Sequence, residues 1–105
     1  MQDRIEVFKQ MLESDPSNTM VMFGLAKEYE KLGDHQNVIE LLETYLSQAD
    51  DEGNAYGVLA SSYLKSGDRD TASETYRKGI DIPMAHGHPS MANEYRMALD
   101  IDLAD

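Results

Sequence analysis

The residues of this chain that are able to do chemistry are few, and their spacing suits none of the common reactions. His86 and His88 stand on either side of Gly87 and could together chelate a metal ion. A stable zinc site needs a third and a fourth ligand, and the remaining histidine, His35, is distant in the sequence. Histidines beside glycine in a solvated loop are the commoner arrangement. We therefore predict that the chain holds no metal ion.

Other candidate catalytic groups are equally isolated. Glu28 and Glu30 are two apart, so on a helix their carboxylates diverge and cannot share a substrate. Ser61 and Ser62 have no histidine at a suggestive spacing, and no glycine-rich phosphate loop is present. The chain has no cysteine, which excludes disulfides and thiolate metal sites. The sequence predicts a protein that is not an enzyme and that has no cofactor.

The net charge narrows the classes of partner. Twenty acidic residues against nine basic ones give a formal charge of −11 over 105 residues. This charge would repel a nucleic-acid backbone, so nucleic acid is not predicted as a ligand. A basic protein partner is compatible with the charge, although an acidic surface that keeps the protein in solution is the simpler interpretation.

The chain also lacks the features of a membrane or exported protein. No apolar run approaches the roughly 20 residues that a membrane span needs. The first six residues include two acids where a signal peptide would carry basic residues and then an apolar stretch. We predict no membrane partner and a cytoplasmic location.

The chain repeats itself at an offset of 34 residues, which is the signature of a repeat architecture. Seven residues of the first copy recur unchanged in the second. They are Leu25, Ala26, Tyr29, Lys31, Gly33, Asp34 and Glu40, which recur as Leu59, Ala60, Tyr63, Lys65, Gly67, Asp68 and Glu74.

Each copy is predicted to form two helices joined by a tight turn. Apolar residues in 19–32 are spaced three and four apart, as on one face of a helix. Gly33 follows, and glycine readily takes the left-handed conformation that ends a helix. Asp34 can then accept hydrogen bonds from the free amides that open the next helix. The same sequence of signals returns with Gly67 and Asp68.

The period and these positions resemble the tetratricopeptide repeat family, and within it a small stand-alone protein of bacterial type. The residues that carry the resemblance are Met22, Leu25, Ala26, Tyr29, Gly33, Val38 and Leu42 in the first copy, and Tyr56, Leu59, Ala60, Tyr63, Gly67, Ala72 and Tyr76 in the second. The resemblance implies an all-α fold: a right-handed α-solenoid of antiparallel helix pairs with about six helices.

The resemblance also implies an organisation for the whole chain as a single domain over residues 1–105. It comprises a leading helix at 2–14, repeats at 19–52 and 53–86, and a closing helix at 89–103. Pro89 suits the first turn of that closing helix. Pro83 is expected to stop the second helix of the second repeat near Ile82.

In this family the usual binding surface is a concave groove lined by the first helix of each pair. Carried over by position, the predicted groove consists of Met20, Phe23, Lys27, Lys31, Asn54, Gly57, Ser61, Leu64 and Lys65. The apolar members would take Leu- or Phe-type anchors of a partner, the lysines would meet its acids, and the small Gly57 and Ser61 would leave a pocket.

A structural interpretation of the same residues competes with this one. Met20 and Phe23 could pack under the leading helix, and Gly57 could permit close approach of another helix. One branch of the family binds the terminal carboxylates of chaperones with a Lys and Asn clamp. Here Gly57 and Ser61 stand where that branch has such residues, so that function is not predicted.

We predict a protein- or peptide-binding adaptor. The alternative is a homodimer or larger homo-oligomer that associates through its end helices. The apolar stripes that would pair are Ile5, Phe8 and Leu12 at one end, and Met91, Tyr95 and Leu99 at the other.

Overall fold

The computed structural model describes residues 3–49, 51 and 53–103. Within these residues the chain forms six α-helices and no β-strand, so the predicted all-α helical-repeat class is confirmed. Residue 2 of the predicted leading helix and residues 50 and 52 of the predicted first repeat lie outside the described residues. The helices are α1 (Arg4–Ser14), α2 (Thr19–Leu32), α3 (His35–Gln48), α4 (Asn54–Lys65), α5 (Arg69–Ala85) and α6 (Pro89–Asp102).

The helices are organised in two compact units, Met1–Asp50 and Asp51–Asp105, called unit 1 and unit 2 below. In unit 1, α2 packs against both α1 and α3, and in unit 2, α5 packs against both α4 and α6. The border lies beside the predicted junction of the two repeats. A single domain over residues 1–105 and a right-handed superhelix of stacked pairs stay predictions.

The two tight turns have the geometry that their sequence predicts. Gly33 has a φ of 73°, and its amide and that of Asp34 donate to the carbonyl oxygens of Glu30 and Tyr29, both at 3.0 Å. These two bonds satisfy carbonyl groups that the helix end would leave free. The carboxylate of Asp34 then accepts from the amide of Asn37 at 3.4 Å and caps α3.

The turn between α4 and α5 repeats this arrangement 34 residues later. Gly67 has a φ of 95°, and the amide of Asp68 donates to the carbonyl oxygen of Tyr63 at 2.9 Å. The Asp68 carboxylate accepts from the amide of Thr71 at 3.1 Å. The identical residues therefore perform identical cap functions in both units.

The prediction that α5 stops near Ile82 was wrong, because α5 continues to Ala85. The amide of His86 donates to the carbonyl oxygen of Ile82 at 3.2 Å, so the helical bonding pattern extends past Pro83. A proline lacks only its own amide hydrogen, and in the last turn this costs a single bond while later residues still bond backwards. Pro89 occupies the first turn of α6, as predicted.

Each unit has its own apolar core. In unit 1 the buried apolar residues come from the inner faces of α2 and α3, and in unit 2 from α4, α5 and α6. They are Val21, Met22, Leu25, Ala26, Tyr29, Val38 and Leu42 in unit 1, and Ala55, Leu59, Ala60, Ala72, Tyr76, Ala92 and Tyr95 in unit 2. Burial of a large apolar side chain contributes about 1.5–3 kcal/mol to the free energy of unfolding. The apolar face of each helix is therefore the face that points to the core.

Within the described residues, no helix is both long enough and apolar enough to cross a membrane.

Candidate functional site

Helix α2 has two faces with different environments. Each residue of an α-helix advances by about 100°, so Met22, Leu25 and Tyr29 share one face, and Met20 and Lys27 share the opposite one. The first three side chains are buried, with at most 8% of their surface exposed. Met20 is 84% exposed. We call the side of α2 that carries Met20, Phe23, Lys27 and Lys31 the outer face.

The two lysines of the outer face form ion pairs within their own helix. The Lys27 ammonium lies 2.9 Å from a Glu30 carboxylate oxygen, and the Lys31 ammonium lies 2.8 Å from one of Glu28. The partly exposed Lys27–Glu30 pair contributes about 0–1 kcal/mol, so Lys27 can exchange its carboxylate for one on a partner at little cost. The Glu28 side chain is only 13% exposed, but it also pairs with Arg4 at 3.4 Å, so it keeps a partner when Lys31 leaves.

Met20 is 84% exposed and therefore is not covered by the leading helix, contrary to the structural interpretation of this residue. The Phe23 ring lies tilted against Tyr45 of α3, with ring centroids 5.3 Å apart. Helix α1 contacts α2 at Gly24, where an added Cβ would lie 3.2 Å from the Phe8 ring, and at Glu28, whose carboxylate lies 3.4 Å from the Arg4 guanidinium. Phe23 is therefore half-buried against α3, and Met20 remains open to solvent.

The predicted groove residues of unit 2 lie on α4 with mixed exposure. Asn54 and Lys65 are exposed, while Ser61 and Leu64 are half-buried. Gly57 has no open space beside it, because a Cβ at this position would lie 2.6 Å from the Tyr95 ring. Gly57 therefore allows the side chain of Tyr95 on α6 to approach α4 closely, and it does not leave a vacant pocket.

The sequence did not reveal that Tyr95 of α6 contacts the beginning of α4. Its hydroxyl accepts from the Gly57 amide at 3.2 Å and donates to the carbonyl oxygen of Gly53 at 2.6 Å. Its ring also covers Gly79 of α5, where an added Cβ would lie 2.9 Å away. The available signal was the pair of glycines inside predicted helices, since such glycines often mark close approach of another group.

Burial raises the pKa of Tyr95 above its ordinary value. The hydrogen bond from the Gly57 amide acts in the opposite direction, and the negative charges of Asp51 and Glu94 add to the increase. The neutral phenol is therefore the form that the fold stabilises, and it is the form that can both donate and accept.

The stripe of α6 proposed for self-association packs within unit 2. Tyr95 is buried against Ala60 and Tyr76, and Met91 and Leu99 pack against the same cluster. In the stripe of α1, Phe8 lies on Gly24, while Ile5 and Leu12 are half-buried. These side chains help to hold α1 and α6 in place, and association through the end helices stays a prediction.

A cleft of about 370 Å³, which the sequence did not predict, lies in unit 1 on the side of α2 opposite the outer face. We call it the α1–α3 cleft. Its lining is apolar at the base and polar on the α3 side. It consists of Leu12, Pro16, Met22, Leu25, Tyr29, Asn37, Glu40, Leu41 and Thr44.

His86 and His88 are both exposed near the connection between α5 and α6. Among the described residues, no three His, Cys, Asp or Glu side chains come together in a way that could hold a metal ion.

The chain contains two helix–turn–helix units with the same left-handed glycine and the same aspartate cap. These units assign the fold to the class of helical-repeat proteins. Residues 53–83 match the family model for the tetratricopeptide repeat, which covers α4 and most of α5. The chain thus contains a tetratricopeptide repeat, and the resemblance seen in its sequence is confirmed. Such repeats generally mediate interactions between proteins.

Proposed function

We propose that this protein is an adaptor that binds segments of other proteins, in unit 1 through the outer face of α2 and in unit 2 through the exposed side of α4. The observation that carries the proposal is the exposure of Met20, at 84%, on the same side of α2 as Lys27 and Lys31, while the other face of this helix is buried. A large apolar side chain left in water gains free energy when a partner covers it, by about 25 cal/mol for each Å² of apolar surface.

In this proposal the partner presents an apolar anchor and an acid. The anchor lies on Met20 and on the exposed edge of Phe23, whose ring is held in position by Tyr45. The acid replaces Glu30 or Glu28 as the ion-pair partner of Lys27 or Lys31. These intrahelical pairs keep the lysine heads oriented before the partner arrives.

Helix α4 contributes Asn54, Ser61, Leu64 and Lys65 in the same way. Leu64 is half-buried and offers an apolar edge, and Lys65 is exposed at the end of the helix. Gly57 keeps its predicted place on this helix, but its contribution is to hold Tyr95 and so to fix the first turn of α4.

The experiment is affinity capture from an extract of the source cell, with the bound proteins identified by mass spectrometry. Met20→Asp, Phe23→Asp and Leu64→Asp are each expected to lose the partner while circular dichroism shows unchanged helicity. Ile101→Asp is the matched control, because Ile101 is an exposed apolar residue (72%) on α6, outside the proposed surface. Capture that survives all three changes would overturn the proposal.

The remaining parts of the proposal rest on the sequence. We propose that the protein catalyses no reaction and binds neither nucleic acid nor membranes, and that it is located in the cytoplasm.

A further inference from the structure

We propose that the α1–α3 cleft is a second protein-binding site, which takes an apolar side chain of a partner segment together with an adjacent Lys or Arg. This site is separate from the outer face of α2, and each can exist without the other. Met22, Leu25 and Tyr29 form the base of the cleft, on the side of α2 that points away from Met20 and Lys27.

The cleft exists because α1 and α3 both pack on α2 but not closely on each other. Leu12 and Pro16 contribute one wall, and Leu41 the apolar part of the other. A volume of about 370 Å³ is at the lower end of the range for pockets that bind small ligands, so it admits one or two side chains but not a folded element.

The polar groups of the cleft are on its α3 side. Glu40 lies there, and its carboxylate accepts a hydrogen bond from the side-chain amide of Gln36 at 3.2 Å. Thr44 is one turn further on, and its hydroxyl donates to the Glu40 carbonyl oxygen at 3.1 Å. These bonds hold the rim in place and leave Glu40 as the charged group that a ligand in the cleft would meet.

Charge selects the ligand. Residues 32–64 contain no Lys or Arg. Besides Glu40, helix α3 carries the acidic residue Glu43, and Asp34 caps the helix. Lys9 of α1 forms a hydrogen bond with Tyr29, which raises the pKa of Lys9. A partner cation is therefore favoured on the α3 side, and the acids disfavour an anionic segment.

The second repeat shows that this charge is a feature of unit 1 and not of the repeat in general. Glu74 occupies the position of Glu40, but it lines a cavity in which two arginines, Arg69 and Arg77, balance its charge and that of Asp70. The residues of unit 1 in register with those arginines are His35 and Glu43. Glu74 of unit 2 therefore has arginines near it, whereas Glu40 of unit 1 has another acid, Glu43, in the position of Arg77.

The proposal is tested by NMR on the full chain labelled with ¹⁵N. The probe is a capped synthetic peptide in which each of two leucines is followed by an arginine. Binding in the cleft is expected to shift the amide signals of Leu25, Tyr29, Leu41 and Thr44. Peptides with glutamate in place of arginine, or serine in place of leucine, are expected to leave these signals unchanged.

Variants separate the cleft from general attraction between opposite charges. Glu40→Lys is expected to raise the Kd of the arginine peptide about tenfold, and Glu40→Gln to raise it less, because Gln removes the attraction without adding repulsion. Glu74→Lys makes the same change in net charge at the equivalent position of unit 2 and is expected to leave the Kd unchanged.

Three results would overturn the proposal. They are the absence of shifts at the cleft at millimolar peptide, equal binding of the glutamate peptide, and an equal effect of Glu74→Lys and Glu40→Lys. Met20→Asp distinguishes the two proposals: it is expected to abolish partner capture on the outer face while the peptide shifts at the cleft persist.

Discussion

The hydroxyl of Tyr95 donates a 2.6 Å hydrogen bond to the carbonyl oxygen of Gly53, 42 residues earlier in the chain. In α3, the cap carbonyl of Asp34 accepts directly from the amide of Val38, four residues on. In α4 the equivalent amide, that of Gly57, donates to the Tyr95 hydroxyl instead. The side chain is thus inserted into the first turn of α4, and it joins α6 to α4.

Tyr95→Phe is expected to destabilise the protein by about 1–3 kcal/mol, because it leaves the Gly57 amide without its acceptor and removes the shorter of the two hydrogen bonds to the Gly53 carbonyl oxygen, which keeps only that from the Tyr56 amide at 3.3 Å. Urea unfolding measures the loss. Tyr76→Phe is the matched control, since it alters the other ring of the same aromatic pair, whose hydroxyl has no hydrogen bond to the residues that the structure describes. Equal losses in the two variants would contradict the bridging role of Tyr95.

Gly57→Ala is expected to destabilise the protein by about 1–3 kcal/mol, even though alanine is the better helix former by about 1 kcal/mol. The added Cβ would lie 2.6 Å from the Tyr95 ring, which must then move away from both of its backbone partners. In a Tyr95→Ala background the same change is expected to become stabilising. Urea unfolding of the double-mutant cycle checks this reversal, and a cost that persists without the ring would refute the explanation.

Gly33→Ala is expected to cost about 1–2 kcal/mol for a different reason. A Cβ at Gly33 meets nothing within 4 Å, so the whole cost comes from the backbone, which has a φ of 73°. Gly33→Asn is expected to cost less, because asparagine tolerates this conformation better than alanine. Thermal unfolding ranks the three proteins, and an alanine variant as stable as the asparagine variant would argue against a backbone origin.

Alkaline pH is expected to reduce the stability that Tyr95 contributes. Burial raises the pKa of Tyr95 in the folded protein above its unfolded value of about 10. Its contribution is complete below that value and is lost as the pH rises through the folded pKa. The stability difference between the native protein and Tyr95→Phe should therefore be smaller at pH ~11 than at pH ~8. A difference that is the same at both pH values would show that ionisation of Tyr95 is not coupled to folding.

The sequence predicted the turns and helix caps correctly where all the interacting residues lie within about one helical turn of one another. The caps at Asp34 and Asp68 need only the amides three residues ahead, and the bends at Gly33 and Gly67 need only the φ that glycine permits. The end of α5 was misjudged because proline in a last turn removes one bond and not the helix.

The candidate site was predictable only in part. Periodicity separated the buried side of α2 from the exposed side, which located Met20, Lys27 and Lys31. It could not show that Phe23 rests on Tyr45, because a half-buried aromatic ring follows the same spacing whether its partner is another helix or a ligand.

The sequence by itself determined the number of helices and the two turns with their caps at Gly33–Asp34 and Gly67–Asp68, since these turns depend on contacts between residues at most five apart. Only the tertiary structure decided that Tyr95 fills the space at Gly57, and that Glu40 stands at the rim of an open cleft. Such relations join residues as many as 42 positions apart. They depend on how tightly particular side chains let the helices approach one another, a property of packing that no repeat period encodes.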